Sequence, residues 1–152
     1  MKLATLCYIK SENKTLMLHR IKKENDMHKG KWNGLGGKIK PGETPEECVI
    51  REVREESGLI IKNPLLKGFL TFPEFDDNEE WRVFVYVATE FYGELIDSPE
   101  GNLAWINNPE ILNLNIWGGD KHFLKWIEGE KFFSAKMNYD KGEFLNHSVV
   151  FH

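Results

Sequence analysis

The chain has 152 residues, with 20 Lys and Arg against 24 Asp and Glu, a formal charge of −4 with neutral histidines. That length suits one domain with a sizeable core and is short for two; a hydrophobic content of 41% is that of a globular chain, not a disordered one. The acidic balance argues against a broad non-specific nucleic-acid surface, and no apolar run approaches the roughly 20 residues of a bilayer-spanning helix.

Met1–Ile9 is apolar but short, and it runs into Lys10–Lys14 without a cleavage-site pattern, so it reads as a first strand and not a signal peptide. Residues 3–9 and 15–18 flank a polar turn and read as a hairpin, followed by a polar loop over 22–31. Trp32–Ile39 reads as a turn followed by a short strand, because Asn33-Gly34 is a strong turn signal. Thr44-Pro45-Glu46-Glu47 forms a capping box with Pro at the first helical position. The helix it opens should run to about Ser57, with Gly58 as the left-handed residue beyond its end. Strands are expected over 65–72, 81–89 and 103–106, a helix over 120–127, and strands over 132–139 and 144–151 around the turn Asp140-Lys141-Gly142. The pattern is that of one mixed α/β domain spanning 1–152.

Cys7 and Cys48 have no metal-type spacing and read as two buried, reduced thiols of a cytoplasmic protein. His19, His28, His122, His147 and His152 lack the i,i+4 pairing of a zinc helix, so no zinc is assigned. No Ser/His/Asp or Cys/His arrangement recommends covalent catalysis.

The most informative run is Gly37-(five residues)-Glu43-(seven residues)-Arg51-Glu52-Val53-Arg54-Glu55-Glu56-Ser57-Gly58-Leu59. Glu52, Glu55 and Glu56 stand at i, i+3 and i+4, on one face of the expected helix. Crowding like charges there is unfavourable by some tenths of a kcal/mol for a pair. A hard divalent cation reverses that sign, because Mg²⁺ takes carboxylate oxygens and completes its shell with substrate phosphates. The plain alternative is a solvated helical face with Arg51/Glu55 as an i,i+4 pair.

This spacing resembles the Nudix box at every fixed position, with Val53 and Leu59 as its aliphatic residues. The resemblance implies an α/β/α sandwich around a mixed sheet, and it assigns Glu52, Glu55, Glu56 and the Gly36 carbonyl to Mg²⁺, with Mn²⁺ as a substitute. It implies that Glu43 pairs with Arg51 to orient the helix. Relatives carry an acid just before the strand at 103–106, which makes Glu100 a further candidate ligand and catalytic residue. Lys23 is placed where relatives contact the triphosphate; a solvated loop lysine is the alternative. The implied chemistry is attack of a metal-activated water on phosphorus, releasing nucleoside monophosphate and pyrophosphate. Which of Glu52, Glu55, Glu56 and Glu100 serves as base stays open.

The box leaves the leaving group unspecified. Trp32-Asn33-Gly34-Leu35-Gly36-Gly37-Lys38 and Asn115-Ile116-Trp117-Gly118-Gly119-Asp120 resemble the MutT-type and MutX-like hydrolases of oxidised purine nucleotides, among them 8-oxo-dGTP diphosphatases. That resemblance places substrate contacts at Asn33, Leu35, Gly36, Gly37, Lys38, Trp117 and Asp120. Trp117 would stack on the purine; Asn33 would offer a donor and an acceptor to a base edge, and Asp120 would accept, or donate if protonated. The alternatives are a turn residue at Asn33, a core residue at Trp117 and a helix cap at Asp120. Relatives of the mammalian type have two consecutive aspartates after the Trp, and here Gly119 stands in place of the first. The expected partner is therefore a nucleoside triphosphate, with no nucleic-acid polymer, membrane or obligate protein partner. Competing readings are hydrolysis of a dinucleotide or capped substrate and a nucleotide-sensing module without activity, although such modules usually lose box carboxylates that this chain keeps.

Overall fold

The computed structural model describes residues 1–76 and 79–152. Its elements in chain order are β1 (Lys2–Ser11), β2 (Lys14–Arg20), β3 (Trp32–Asn33), α1 (Pro45–Ser57), β4 (Ile60–Lys62), β5 (Leu65–Asp76), β6 (Glu79–Ala88), β7 (Glu90–Tyr92), β8 (Gly101–Asn107), a 3₁₀ turn (Asn108–Asn113), α2 (Asp120–Trp126), β9 (Phe133–Asp140) and β10 (Glu143–Phe151). The main sheet runs β10-β9-β5-β6-β1-β2-β3, with β8 also paired to β2, and β4 and β7 form a separate ribbon. It is a mixed sheet: β1 runs parallel to β6 and β5 parallel to β9, the other pairings being antiparallel.

Strand β1 is buried on both faces, and side-chain alternation divides it between two cores. Ala4 and Tyr8 join Met17, Val83, Val85, Phe123 and Leu124 on the side of α2. Cys7 and Ile9 join Leu16, Leu18, Val49 and Val53 on the side of α1. The sheet is therefore sandwiched between α1 and α2, in the α/β arrangement expected. Among the described residues, no helix is long and apolar enough to cross a membrane.

Helix α1 starts and stops where its sequence dictates. Thr44 accepts from the Glu47 N–H at 3.0 Å, the Glu47 carboxylate accepts from the Thr44 N–H at 2.9 Å, and Gly58 takes φ 82° beyond the last turn. The Asn33-Gly34 reading needs correction. Asn33 ends β3, which pairs with β2 at Leu18↔Asn33 and His19↔Trp32, and residues after Gly34 run beside β1 through bridges at Leu35 and Lys38. The close approach of Gly34 to β1 explains its glycine better than a hairpin turn does, since a Cβ there would lie 2.7 Å from the Cys7 carbonyl oxygen.

Candidate active site

The glycine pair before α1 is drawn against β1. Leu35 exchanges backbone hydrogen bonds with Cys7 at 2.6 and 2.9 Å, and the Thr5 N–H donates to the Gly37 carbonyl at 2.9 Å. Extended residues alternate the direction of their backbone groups, so Gly36 turns its N–H and C=O away from β1. That N–H donates to Glu56 Oε1 at 2.8 Å. Gly36 tolerates no side chain, because a Cβ there would overlap the Thr5 carbonyl oxygen, and a Cβ at Gly37 would sit 2.6 Å from the Glu52 carboxyl carbon and displace that carboxylate.

The three helix carboxylates fan from the interior to solvent. Glu56 is 5% exposed, and burial pushes its carboxyl up to about 8 despite the Gly36 N–H. Glu52 is half-buried, and burial raises it too, against the opposing effect of Arg51. Glu55 is 54% exposed and is held at 3.2 Å by Arg51 on the outer side of the helix. Arg51 also reaches Glu43 at 2.5 and 2.9 Å, Glu52 at 2.8 Å and the Lys38 carbonyl at 3.3 Å. The Arg51 guanidinium holds the Glu43 carboxyl well below its usual range, chiefly through that hydrogen bond.

Glu100 immediately precedes β8 and comes to the same region from a distant part of the chain. Its carboxylate meets Lys23 at 2.8 Å and Arg20 at 3.4 Å. Among the described residues, no three His, Cys, Asp or Glu side chains converge closely enough to grip an ion as they stand. Each acid is engaged elsewhere: Glu52 with Arg51, Glu56 with the Gly36 N–H, and Glu100 with Lys23 and Arg20.

Glu52, Glu56 and Glu100 line one cavity of about 950 Å³ together with Lys23, Gly36, Gly37 and Lys38. Asn33, Trp117 and Asp120, brought from distant parts of the chain, line the same cavity. Asn33 and Asp120 are 9% and 7% exposed, yet neither side chain has a hydrogen-bond partner among the described residues. Asp120 opens α2 without capping it, because Gly119 holds the cap position and no side chain bonds there. Burial pushes the Asp120 carboxyl up to about 8, with Lys31 opposing. The Trp117 indole is fixed by donation from Nε1 to His28 Nδ1 at 2.8 Å and by Phe75 edge-on at 5.0 Å, with the Lys31 ammonium 5.0 Å over its ring.

Residues 1–127 match the family model described as the NUDIX domain. The chain belongs to the Nudix family. It is 32% identical to the oxidized purine nucleoside triphosphate hydrolase of Danio rerio over 149 residues, covering 98% of this chain and 90% of that one. It is 33% identical to the ADP-ribose pyrophosphatase of Methanocaldococcus jannaschii over 124 residues, covering 80% and 72%. The crystal structure of a mutator MutT protein from Bacillus halodurans superposes with a TM-score of 0.87 at 32% identity, covering 98% of this chain and 97% of that one. The chain is a MutT-like Nudix hydrolase.

Two sequence expectations fall outside the cavity. Leu35 is fully buried in the core against α1, where its side chain packs, and it does not line the cavity. Glu55 faces solvent, because the helical turn that buries Glu56 carries the residue before it outward. Sequence reading also missed several lining residues. Tyr139 and Trp81 sit in strand patterns that read as ordinary core, Phe75 lies beyond the strand expected over 65–72, which in the structure runs on to Asp76, and only the fold turns the three toward the cavity. Among the described residues, Trp81 Nε1 is the one buried side-chain polar atom without a hydrogen-bond partner.

Proposed function

We propose that this Nudix hydrolase cleaves oxidised purine nucleoside triphosphates, 8-oxo-dGTP foremost, to the nucleoside monophosphate and pyrophosphate, with Mg²⁺ as cofactor and Mn²⁺ as a substitute. One observation carries the reading: Asn33 and Asp120 are little exposed, their polar atoms are open to the cavity without a protein partner among the described residues, and Glu52, Glu56 and Glu100 line that same cavity. A ligand that fills the cavity seals these groups and must match their donors and acceptors or leave one unpaired, at about 1–3 kcal/mol. A base edge beside a triphosphate supplies such a match.

Nudix hydrolases generally use divalent metals. The donors here fit a hard cation, being carboxylates of Glu52, Glu56 and Glu100 and the Gly36 carbonyl, without sulfur or imidazole. The burial that keeps Glu56 protonated up to about 8 also fits, since a nearby cation restores the ionised form. An ion held there neutralises phosphate charge and polarises the phosphorus under attack.

The chain's own groups divide the remaining work. The Gly36 N–H fixes Glu56, and Arg51 orients Glu52. Lys23 pairs with phosphate oxygens once Glu100 releases it. Trp117 stacks on the purine while Asn33 and Asp120 read its edge. Water adds to an internal phosphorus, the bond to the bridging oxygen breaks, and pyrophosphate leaves. Substrate plus water thus balances monophosphate plus pyrophosphate.

The similarity to an ADP-ribose pyrophosphatase favours a second reading, hydrolysis of a dinucleotide-type anhydride. Measuring kcat/KM over 8-oxo-dGTP, dGTP, ADP-ribose and a diadenosine polyphosphate separates the two. The first reading requires 8-oxo-dGTP to lead; ADP-ribose leading would replace it with the second.

A further inference from the structure

Trp117 stands between the 3₁₀ turn and α2, on a stretch of backbone that belongs to neither. A side chain on such a segment keeps one orientation only if other groups lock it. Its indole donates from Nε1 to His28 Nδ1 at 2.8 Å, with the two rings 87° apart and their centres 5.7 Å from each other. An indole N–H is donor-only and a neutral imidazole accepts at one nitrogen, so this bond leaves the His28 ring proton on Nε2.

The hold on His28 comes from β2. Arg20 Nε donates to Asp26 Oδ2 at 2.8 Å, and Asp26 Oδ1 accepts from the His28 N–H at 3.0 Å. The Asp26 side chain is 5% exposed, so solvent ions screen this pairing little. The Arg20 backbone pins the far end of the same loop, donating to the Lys31 carbonyl at 2.9 Å and accepting from the Gly30 N–H at 2.7 Å. The His28 ring lies 28° from the plane of Phe75, centres 6.2 Å apart, and His28, Phe75 and Trp117 all line the cavity. The loop is thus anchored to β2 without help from Trp117, and it is His28 that fixes the indole.

We infer that His28 is a positioning residue for nucleotide binding, its Nδ1 holding the Trp117 indole in the orientation that stacks on the base. The inference rests on the reading of the cavity as a purine nucleotide site. Stacking depends on the relative placement of the two ring planes. A ring already locked in the free protein spares the ligand the cost of ordering it. The contribution is therefore to affinity for the base-bearing part of the ligand, and not to the phosphorus chemistry beside Glu52 and Glu56.

The test measures KM and kcat for 8-oxo-dGTP, and the inhibition constants of 8-oxo-dGMP and of pyrophosphate, in wild type, His28→Phe and His28→Asn. Phenylalanine keeps a ring beside Phe75 without the acceptor, whereas the asparagine carbonyl oxygen takes the place of Nδ1. His28→Phe should raise KM and the 8-oxo-dGMP constant by about threefold to tenfold, the worth of one hydrogen bond, and change kcat and the pyrophosphate constant by less than about twofold. His28→Asn should restore both constants to within about twofold of wild type. Added to Trp117→Phe, which has no N–H to place, His28→Phe should cost nothing further, the mark of direct coupling. Equal rises in the two inhibition constants, no rise in either, failure of asparagine to rescue, or additive losses with Trp117→Phe would each overturn the inference. If His28→Phe loses its fold by circular dichroism, His28→Gln, whose carbonyl lies too far along the side chain, reads the same split. A wild type that does not turn over 8-oxo-dGTP overturns the purine-nucleotide reading itself; turnover with an unmoved KM in the variant overturns only the role of His28.

Discussion

Glu56 and Gly36 lie 20 residues apart, yet the Gly36 N–H donates to the Glu56 carboxylate at 2.8 Å. That bond ties the most buried acid of α1 to the glycine strand beside β1. It places a titratable group inside the fold, 5% exposed, where its charge is costly without a cation.

Glu56→Gln keeps the volume and an oxygen for the Gly36 N–H while removing the charge. Turnover at saturating Mg²⁺ should fall by about a thousandfold or more, since one ligand to the proposed ion is neutralised. Without metal the variant should melt no lower than wild type at pH 8–9. A carboxyl raised on folding stabilises fully below its unfolded value, and that contribution is lost as pH rises from 4.5 through about 8. Wild-type turnover in the variant would remove Glu56 from the metal site.

Asp120 gives a second pH signature that a difference measurement isolates. Its carboxyl is raised from 3.8 to about 8 by burial, so its stabilising contribution is complete at acid pH and disappears across that interval. Asp120→Asn removes the titration. The Tm of the variant minus that of wild type should therefore climb between pH 5 and 9, with Glu56 cancelling from the difference. A flat difference would contradict a buried, protonated Asp120.

Arg51 binds Glu43, Glu52, Glu55 and the Lys38 carbonyl through one planar fork. Lysine keeps the charge but cannot reproduce that geometry. Arg51→Lys should lower kcat by about tenfold to a hundredfold, with a smaller change in nucleotide KM, as expected when a group orienting a ligand is lost. Steady-state kinetics at several Mg²⁺ concentrations checks this; an unchanged kcat would show that Glu52 needs no such support.

Much of the architecture was legible in local chemistry. Thr44, Pro45, Glu47 and Gly58 marked both ends of α1, because caps act within a few residues of themselves. The short ribbon of β4 and β7 and the 3₁₀ turn at Asn108–Asn113 escaped, being too brief to show a period. The acids at 52, 56 and 100, together with Lys23, Asn33, Trp117 and Asp120, were all named from sequence, and the fold brings them to one cavity. Leu35 and Glu55 show the limit. Helical spacing gave the face of Glu55 and resemblance gave the position of Leu35, but neither gives depth, and the fold puts Leu35 in the core and Glu55 at the solvent. Tyr139 was hidden for a related reason: an aromatic in an alternating strand reads as core until the Gly119 contact is seen.

Trp117 and Asn33 should separate affinity from selectivity. Trp117→Ala loses stacking common to all purines, so KM should rise for 8-oxo-dGTP and dGTP alike. Asn33→Ala removes an edge contact and should erode the preference between them by about tenfold to a hundredfold. If Trp117→Ala changed the ratio while Asn33→Ala left it intact, the assigned roles would have to be exchanged.

The proposed function stands or falls on whether an oxidised purine edge is read in the cavity that Glu52, Glu56 and Glu100 line. The most direct measurement is the ratio of kcat/KM for 8-oxo-dGTP over dGTP, with products resolved in ¹⁸O-water. The expected ratio is about ten or more, set by hydrogen-bond mismatch at buried groups, with pyrophosphate as the co-product and no label in free orthophosphate. A ratio near one, or labelled orthophosphate in place of pyrophosphate, would contradict it.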